Sequence, residues 1–250
     1  MRFSFRKIIC LATLVSMISL SPGLCRAGDR SQLEILGFSS DGAFIAYERY
    51  GVEDGSGIPY SEIYCVDIAK NAFLSKKIEL RGSEGDDRPH MLDSLRIVNQ
   101  ERAAGLLKKA GILVNEKGVL LYYRPISDKT AAGNRVRFAM PYGPFSSATQ
   151  AIFELELEER SAGKQCMDFD AKMFGIKLKY KQQAHYLQND SRLPRSRGCV
   201  YKYRIERIVS HGKHSLAIFL FAFKPGFEGP TVRHLVVTGD LKTFDWTKNE

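Results

Sequence analysis

The sequence predicts a mainly β fold of α+β content, its antiparallel sheets packed as a sandwich or a partial propeller, with one inserted helix near residues 88–110. Three observations carry this. Runs of β-branched and aromatic residues recur along most of the chain, clusters of Gly, Pro, Asn, Asp and Ser separate them, and a single stretch has helical apolar spacing with terminal signals at both ends.

Residues 1–27 read as a secretory leader. A basic start (Arg2, Arg6, Lys7) leads into an apolar run from Ile8 to Leu20, then Ser21-Pro-Gly23, and the small residues Cys25 and Ala27 precede Gly28. The run falls short of the ~20 residues that span a bilayer, so cleavage is expected rather than a retained anchor. Pro22-Gly-Leu24 before Cys25 fits a lipid-attachment box poorly. The mature chain is then one mainly-β domain over 28–250, secreted or periplasmic.

Ile35–Phe38, Ala43–Tyr50 and Ser61–Ile68 read as strands, separated by the hairpin turn Ser40-Asp-Gly42 and a longer loop over Asp54-Gly-Ser-Gly57. The helix follows. Asp86 and Asp87 suit its positive end and Pro89 its first turn. Met91, Leu92, Leu95, Val98, Leu106, Leu107 and Ala110 form its stripe, and Lys108, Lys109 and Gly111 close it, with a break expected near Gly105. Ile112–Val114 and Val119–Tyr123 flank Asn115-Glu-Lys-Gly118 and read as a hairpin.

Further on, Glu154, Glu156 and Glu158 share one face of a strand, as do Lys177, Lys179 and Lys181. Antiparallel pairing of 154 with 181, 156 with 179 and 158 with 177 would oppose unlike charges while both apolar faces turn inward. Two separate half-solvated strands would carry the same alternation. Val200–Ser210, Ser215–Phe223 and Val232–Thr238 are the last strands. Their turn glycine and Gly/Pro loop echo the N-terminal three strands, as a duplicated unit or as common hairpin grammar.

Loss of the leader removes four basic residues and no acidic ones, lowering the formal charge from +9 to +5. That balance argues against a dedicated nucleic-acid binder. Cys65, Cys166 and Cys199 remain. Cys65 lies in a strand-like stretch that buries it, whereas Cys166 and Cys199 flank polar loops, so a Cys166–Cys199 disulfide is predicted.

Three segments together resemble an uncharacterised family of predicted secreted bacterial proteins, a domain of unknown function. They are Tyr50-Gly-Val-Glu-Asp-Gly-Ser-Gly-Ile-Pro-Tyr-Ser-Glu-Ile-Tyr64, Leu193-Pro-Arg-Ser-Arg-Gly-Cys199 with Tyr203, and Gly226-Phe-Glu-Gly-Pro230 with Arg233. The resemblance implies secretion and no particular activity. Separately, Gly37–Tyr47 followed by Glu62–Asp67 is similar to one blade of the TolB-type propeller, in a single copy where a propeller repeats several.

Candidate chemistry concentrates in three loops. Asp54, Ser56, Tyr60 and Glu62 offer oxygens and glycines that could wrap calcium, although the alternating acids of an EF-hand are missing and a tight polar connection explains the same residues. Arg195 and Arg197, within the densest basic stretch, could receive phosphate or carboxylate. Phe227, Glu228 and Arg233 complete the set. The five histidines have no metal-ligand spacing, and no Walker loop, dinucleotide fingerprint or glycine-flanked nucleophilic serine is present. These features lead to the expectation of a non-catalytic binding protein recognising an envelope protein or an anionic envelope polymer, with no nucleic-acid partner and no cofactor. The alternative is a secreted hydrolase using carboxylates such as Glu48, Asp54, Glu62 and Glu228.

Overall fold

The computed structural model describes residues 28–83, 89–128, 134–140, 151–226 and 229–244. Residues 1–27, expected as the leader, and Asp86, Asp87, Phe227 and Glu228 lie outside them. The strands are β1 (Gln32–Ser39), β2 (Phe44–Val52), β3 (Pro59–Asp67), β4 (Ala72–Phe73), β5 (Ile78–Arg81), β6 (Ile112–Leu113), β7 (Val119–Tyr123), β8 (Arg135–Met140), β9 (Ala151–Cys166), β10 (Phe169–Tyr180), β11 (Gln183–Asn189), β12 (Lys202–His211), β13 (Ser215–Lys224) and β14 (Thr231–Asp240). One helix, α1 (Pro89–Lys109), falls between β5 and β6.

The strands form three open antiparallel sheets. Sheet I runs β4-β3-β2-β1-β6, with β5 also on β3; sheet II runs β14-β13-β12-β7; sheet III runs β11-β10-β9-β8. Sheet II is the middle layer of a sandwich-like stack. Ile218 and Leu220 on one face of β13 pack with Leu155 and Ile176 of sheet III, while Ala217 and Phe219 on the other face pack with Phe38, Ile45 and Tyr47 of sheet I. A strand covered on both sides has no polar face to present, which is why Leu216–Ala222 is apolar without alternation and buried throughout.

The helix covers the outer face of sheet I, packing Ala103, Leu107 and Ala110 against Leu36, Ala46, Ile63 and Cys65. Its buried line is Leu95, Asn99, Ala103 and Leu107, a four-residue spacing, whereas Val98 is 46% exposed. The expected stripe is therefore corrected by one position. Asn99 can take that place because its Nδ2 donates to Ser61 O (3.1 Å), Ser61 Oγ (2.8 Å) and Ile78 O (3.2 Å), joining α1 to β3 and β5. No break occurs at Gly105; the helix runs to Lys109 and stops at Gly111, whose φ of 65° is the left-handed turn that closes a helix end.

Two other expectations need correction. Ile112–Leu113 and Val119–Tyr123 do not form a hairpin: β6 pairs with β1 and β7 with β12, so Asn115–Gly118 is a crossover between sheets I and II. Gly118 makes it possible, since a Cβ there would stand 2.5 Å from Ser210 O at a φ of 77°. The Glu and Lys faces do oppose each other on β9 and β10, but the register is shifted by two residues, with Glu156 opposite Lys177 and Glu154 opposite Lys179. A shift of two preserves which face each side chain occupies, so Leu155, Leu157, Ile176 and Leu178 stay inward. Lys179 Nζ lies 2.7 Å from Glu156, which Arg135 of β8 also contacts at 2.8 Å.

Candidate functional site

The three predicted loops are brought only partly together. The β2–β3 loop turns through Gly55 (φ 82°) and Gly57 (φ 65°), with Gly57 N donating to Glu53 O, and Asp54 is exposed at its tip. Ser56 Oγ donates to Glu53 Oε2 at 3.3 Å, and Arg81 pairs with Glu53. No contact joins Asp54 or Ser56 to another described candidate residue. Tyr60 is 1% exposed, its ring facing the guanidinium of Arg233 at 5.0 Å, and Arg233 pairs with Asp29.

Arg195 and Arg197 occupy a single 3-10 turn just before Cys199. Arg195 is exposed. Arg197 turns inward, pairs with the buried Asp190 and stacks 4.2 Å over Phe174, while Asp190 also accepts from Phe174 N. The Cys166–Cys199 disulfide is present, with Cα atoms 5.5 Å apart, and holds the end of this loop against the β9–β10 hairpin. Cys65 is a free, buried thiol, pushed up to about 11 by burial.

Between this loop, the β3–β4 edge and β14 lies a cavity of about 250 Å³. Tyr47, Tyr64, Phe73 and Phe174 supply aromatic walls, and Arg49 and Arg197 supply charge. Arg49, which sequence reasoning passed over, is the organising residue. Its Nε donates to Glu62 Oε2 (2.7 Å), Nη1 to the His234 carbonyl (3.0 Å) and Nη2 to the Tyr64 hydroxyl (2.7 Å), so one guanidinium joins β2, β3 and β14. Glu62 also pairs with Lys77. Burial alone would raise the Glu62 pKa, but Arg49 and Lys77 outweigh it and hold the carboxyl below its ordinary value. Burial raises the Tyr64 phenol, so the ring stays neutral and its hydroxyl can donate or accept.

Behind the cavity, His234 bridges two further side chains. Its Nδ1 lies 2.9 Å from Ser31 Oγ and its Nε2 3.1 Å from Glu206. The bulge between Ile205 and Arg207 turns Glu206 inward. Glu206 is held below its ordinary pKa although burial pushes the other way, because His234 and Arg207 stabilise the anion. The residue types are those of a nucleophile–base–acid triad, but Ser31 is 6% exposed and lies within 3.3 Å of Val232 O as well. The trio ties residues 29–31, which pair with Val232, onto β14. A sequence separation of 203 residues leaves no local signal for it.

Of the acids considered, Glu48 and Glu62 do not converge, and Glu228 lies outside the described residues. Glu48 is fully buried under α1, bound by Arg96, Gln100 and Ser61, whereas Glu62 faces sheet II from the opposite face of sheet I. Among the described residues, no group of three or more His, Cys, Asp or Glu side chains is placed to hold a metal.

A family model described as "Predicted secreted protein (DUF2259)" matches residues 46–240, a span holding β3 through β14 and every element of the cavity. The chain belongs to this family. No curated protein and no solved structure matches it. The DUF2259 description agrees with the leader expected from the sequence: the protein is secreted, and among the described residues no helix is long and apolar enough to cross a membrane.

Proposed function

We propose that this DUF2259 protein is a secreted, non-catalytic recognition protein that binds an envelope component, either a protein partner or an anionic polymer, at the cavity between the β3–β4 edge, β14 and the disulfide-bound loop. The observation that carries the reading is the construction of that cavity. Its two arginines are fixed from behind by Glu62 and Asp190, so their forks are oriented before any ligand arrives, and ordering them on binding costs little. Aromatic walls with a few directed polar groups are the usual make-up of a small-ligand or side-chain pocket.

Site-specific photocrosslinking in the secreting cell tests this. A photoreactive residue replacing Phe73, 58% exposed at the cavity rim, is expected to give a dominant envelope adduct that is lost in an Arg197→Ala background. The same probe at Met167, 80% exposed on the β9–β10 turn, is the control. Equal adducts from both positions would refute the reading.

A further inference from the structure

The cavity lies where the middle layer of the stack ends. β14 is the edge strand of sheet II, and it lines the cavity between walls from sheet I (Tyr47, Tyr64, Phe73) and from sheet III with its disulfide-bound loop (Phe174, Gln188, Arg197). An edge strand has a neighbour on one side only, so every second residue turns its N–H and C=O away from β13. Three contacts identify that set. Val232 N donates to Asp29 O (2.7 Å) and its carbonyl accepts from Ser31 N (3.0 Å), the His234 carbonyl accepts from Arg49 (3.0 Å), and Thr238 N donates to Asn71 Oδ1 (2.9 Å). The β13–β14 register runs unbroken from Thr231 to Asp240, so Val236 belongs to the same outward set.

Of these four residues, Val236 alone has neither group partnered: among the described residues, its N–H and carbonyl make no hydrogen bond. It lines the cavity. The chain itself shows what such an edge accepts, because residues 29–31 run beside Val232 as an extended segment in a parallel bridge and take both of its outward groups. Four residues further along the strand, Val236 offers the same donor and acceptor. Its side chain packs toward sheet I with Tyr64, whereas Leu235 packs toward sheet III. A residue paired with Val236 would share its face and meet Tyr64 and Phe73, whose rings stand 5.3 Å apart, while its neighbours would turn toward Phe174 and Arg197.

Resting on the reading of the cavity as a binding site, we propose that β14 takes a short extended segment of a partner protein as an added strand on Val236. The segment's residue beside Val236 carries an apolar or aromatic side chain, held by Tyr64 and Phe73. Main-chain bonds then supply affinity and the aromatic wall supplies selectivity. The covered groups at Val232, His234 and Thr238 limit the undisturbed edge to the stretch around Val236, so the guest is a few residues long.

Amide hydrogen exchange on the mature protein tests the edge without any ligand. The Val236 N–H is expected to exchange at least about tenfold faster than those of Leu235 and Val237, which lie in the ladder with β13. Equal protection of all three would show the edge already paired and overturn the proposal. The Phe73 photocrosslink, repeated in a Val236→Pro background, tests the guest. Proline removes the outward N–H, sets its ring where the added strand would lie and leaves the β13 ladder intact, so the variant should keep the native circular dichroism and lose the adduct at least about tenfold. An adduct that maps to a peptide segment of an envelope protein and is lost in Val236→Pro supports strand addition. One that persists in the folded variant, or maps to a saccharide polymer or to a second copy of this chain, overturns it while the cavity remains a binding site. If the parent gives no Phe73-specific adduct, the binding reading falls and strand addition falls with it. The crosslinked parent supplies a reading that does not depend on the proline variant folding: its Val236 amide should slow at least about tenfold relative to the free protein, and an unchanged rate would overturn the proposal.

Discussion

Replacing Cys166 and Cys199 together by serine removes the single cross-link between the β9–β10 turn and the segment that leads into β12. The two residues are 33 positions apart. The chain-entropy relation for a loop of that length gives about 3.7 kcal/mol at 25 °C, exerted by restricting the unfolded chain. The folded loop has other anchors: Arg197 on Asp190, Asp190 on the Phe174 amide, and Arg160 on the Asp190 carbonyl. The double mutant should therefore fold with its cavity intact, and nearly all of the loss should appear as a lower urea midpoint at unchanged native spectrum. Against a domain stability of about 5–15 kcal/mol, a loss of this size is easily measured by equilibrium denaturation. A thiol titration accompanies it. Cys65 is buried, so the parent mature protein should react only on unfolding, and then at one thiol without reductant. A loss below about 1 kcal/mol, or a loop that becomes protease-sensitive before global unfolding, would refute the view that the bridge acts through the unfolded state.

Other outcomes follow from the packing and the charge network. Phe219→Ala empties a site between sheets I and II, where the ring meets Tyr47 edge-on at 5.3 Å, and should cost about 3–5 kcal/mol by denaturation. Asn99→Ala removes the amide that satisfies the Ser61 and Ile78 carbonyls and should cost about 1–3 kcal/mol, more than Val98→Ala on the exposed side of the same helix. Arg49→Met leaves Glu62 buried with Lys77 alone and should cost about 3–5 kcal/mol, much of it restored by adding Glu62→Leu. Glu62 and Glu206 have folded pKa values below the ordinary 4.5, so their contribution is complete above that value and is lost as pH falls through the folded ones. Stability measured from pH 6 to pH 3 should fall, and Glu62→Gln should flatten the slope; an unchanged slope would contradict the pairing.

What the sequence determined by itself was local. The strand alternation, the helix that ends at Gly111, the turn glycines Gly42 and Gly212, the burial of Cys65 and the segregated Glu and Lys faces all follow from side-chain period and backbone preference within a few residues. Tertiary structure decided whatever depends on which surfaces meet. Nothing between Asn115 and Gly118 says that its flanks belong to different sheets, because a short glycine-bearing turn serves a hairpin and a crossover equally well. The two-residue register shift is likewise silent in the sequence, since both registers leave the same faces inward. The polar centre was the least legible: Glu62 alone was singled out in the sequence, whereas Arg49, Ser31, Glu206 and His234 come from segments far apart in the chain, and each by itself reads as an ordinary residue of a strand or its flank. Stacking sheet I on sheet II excludes water from those faces, and only then must their charges and hydroxyls find one another.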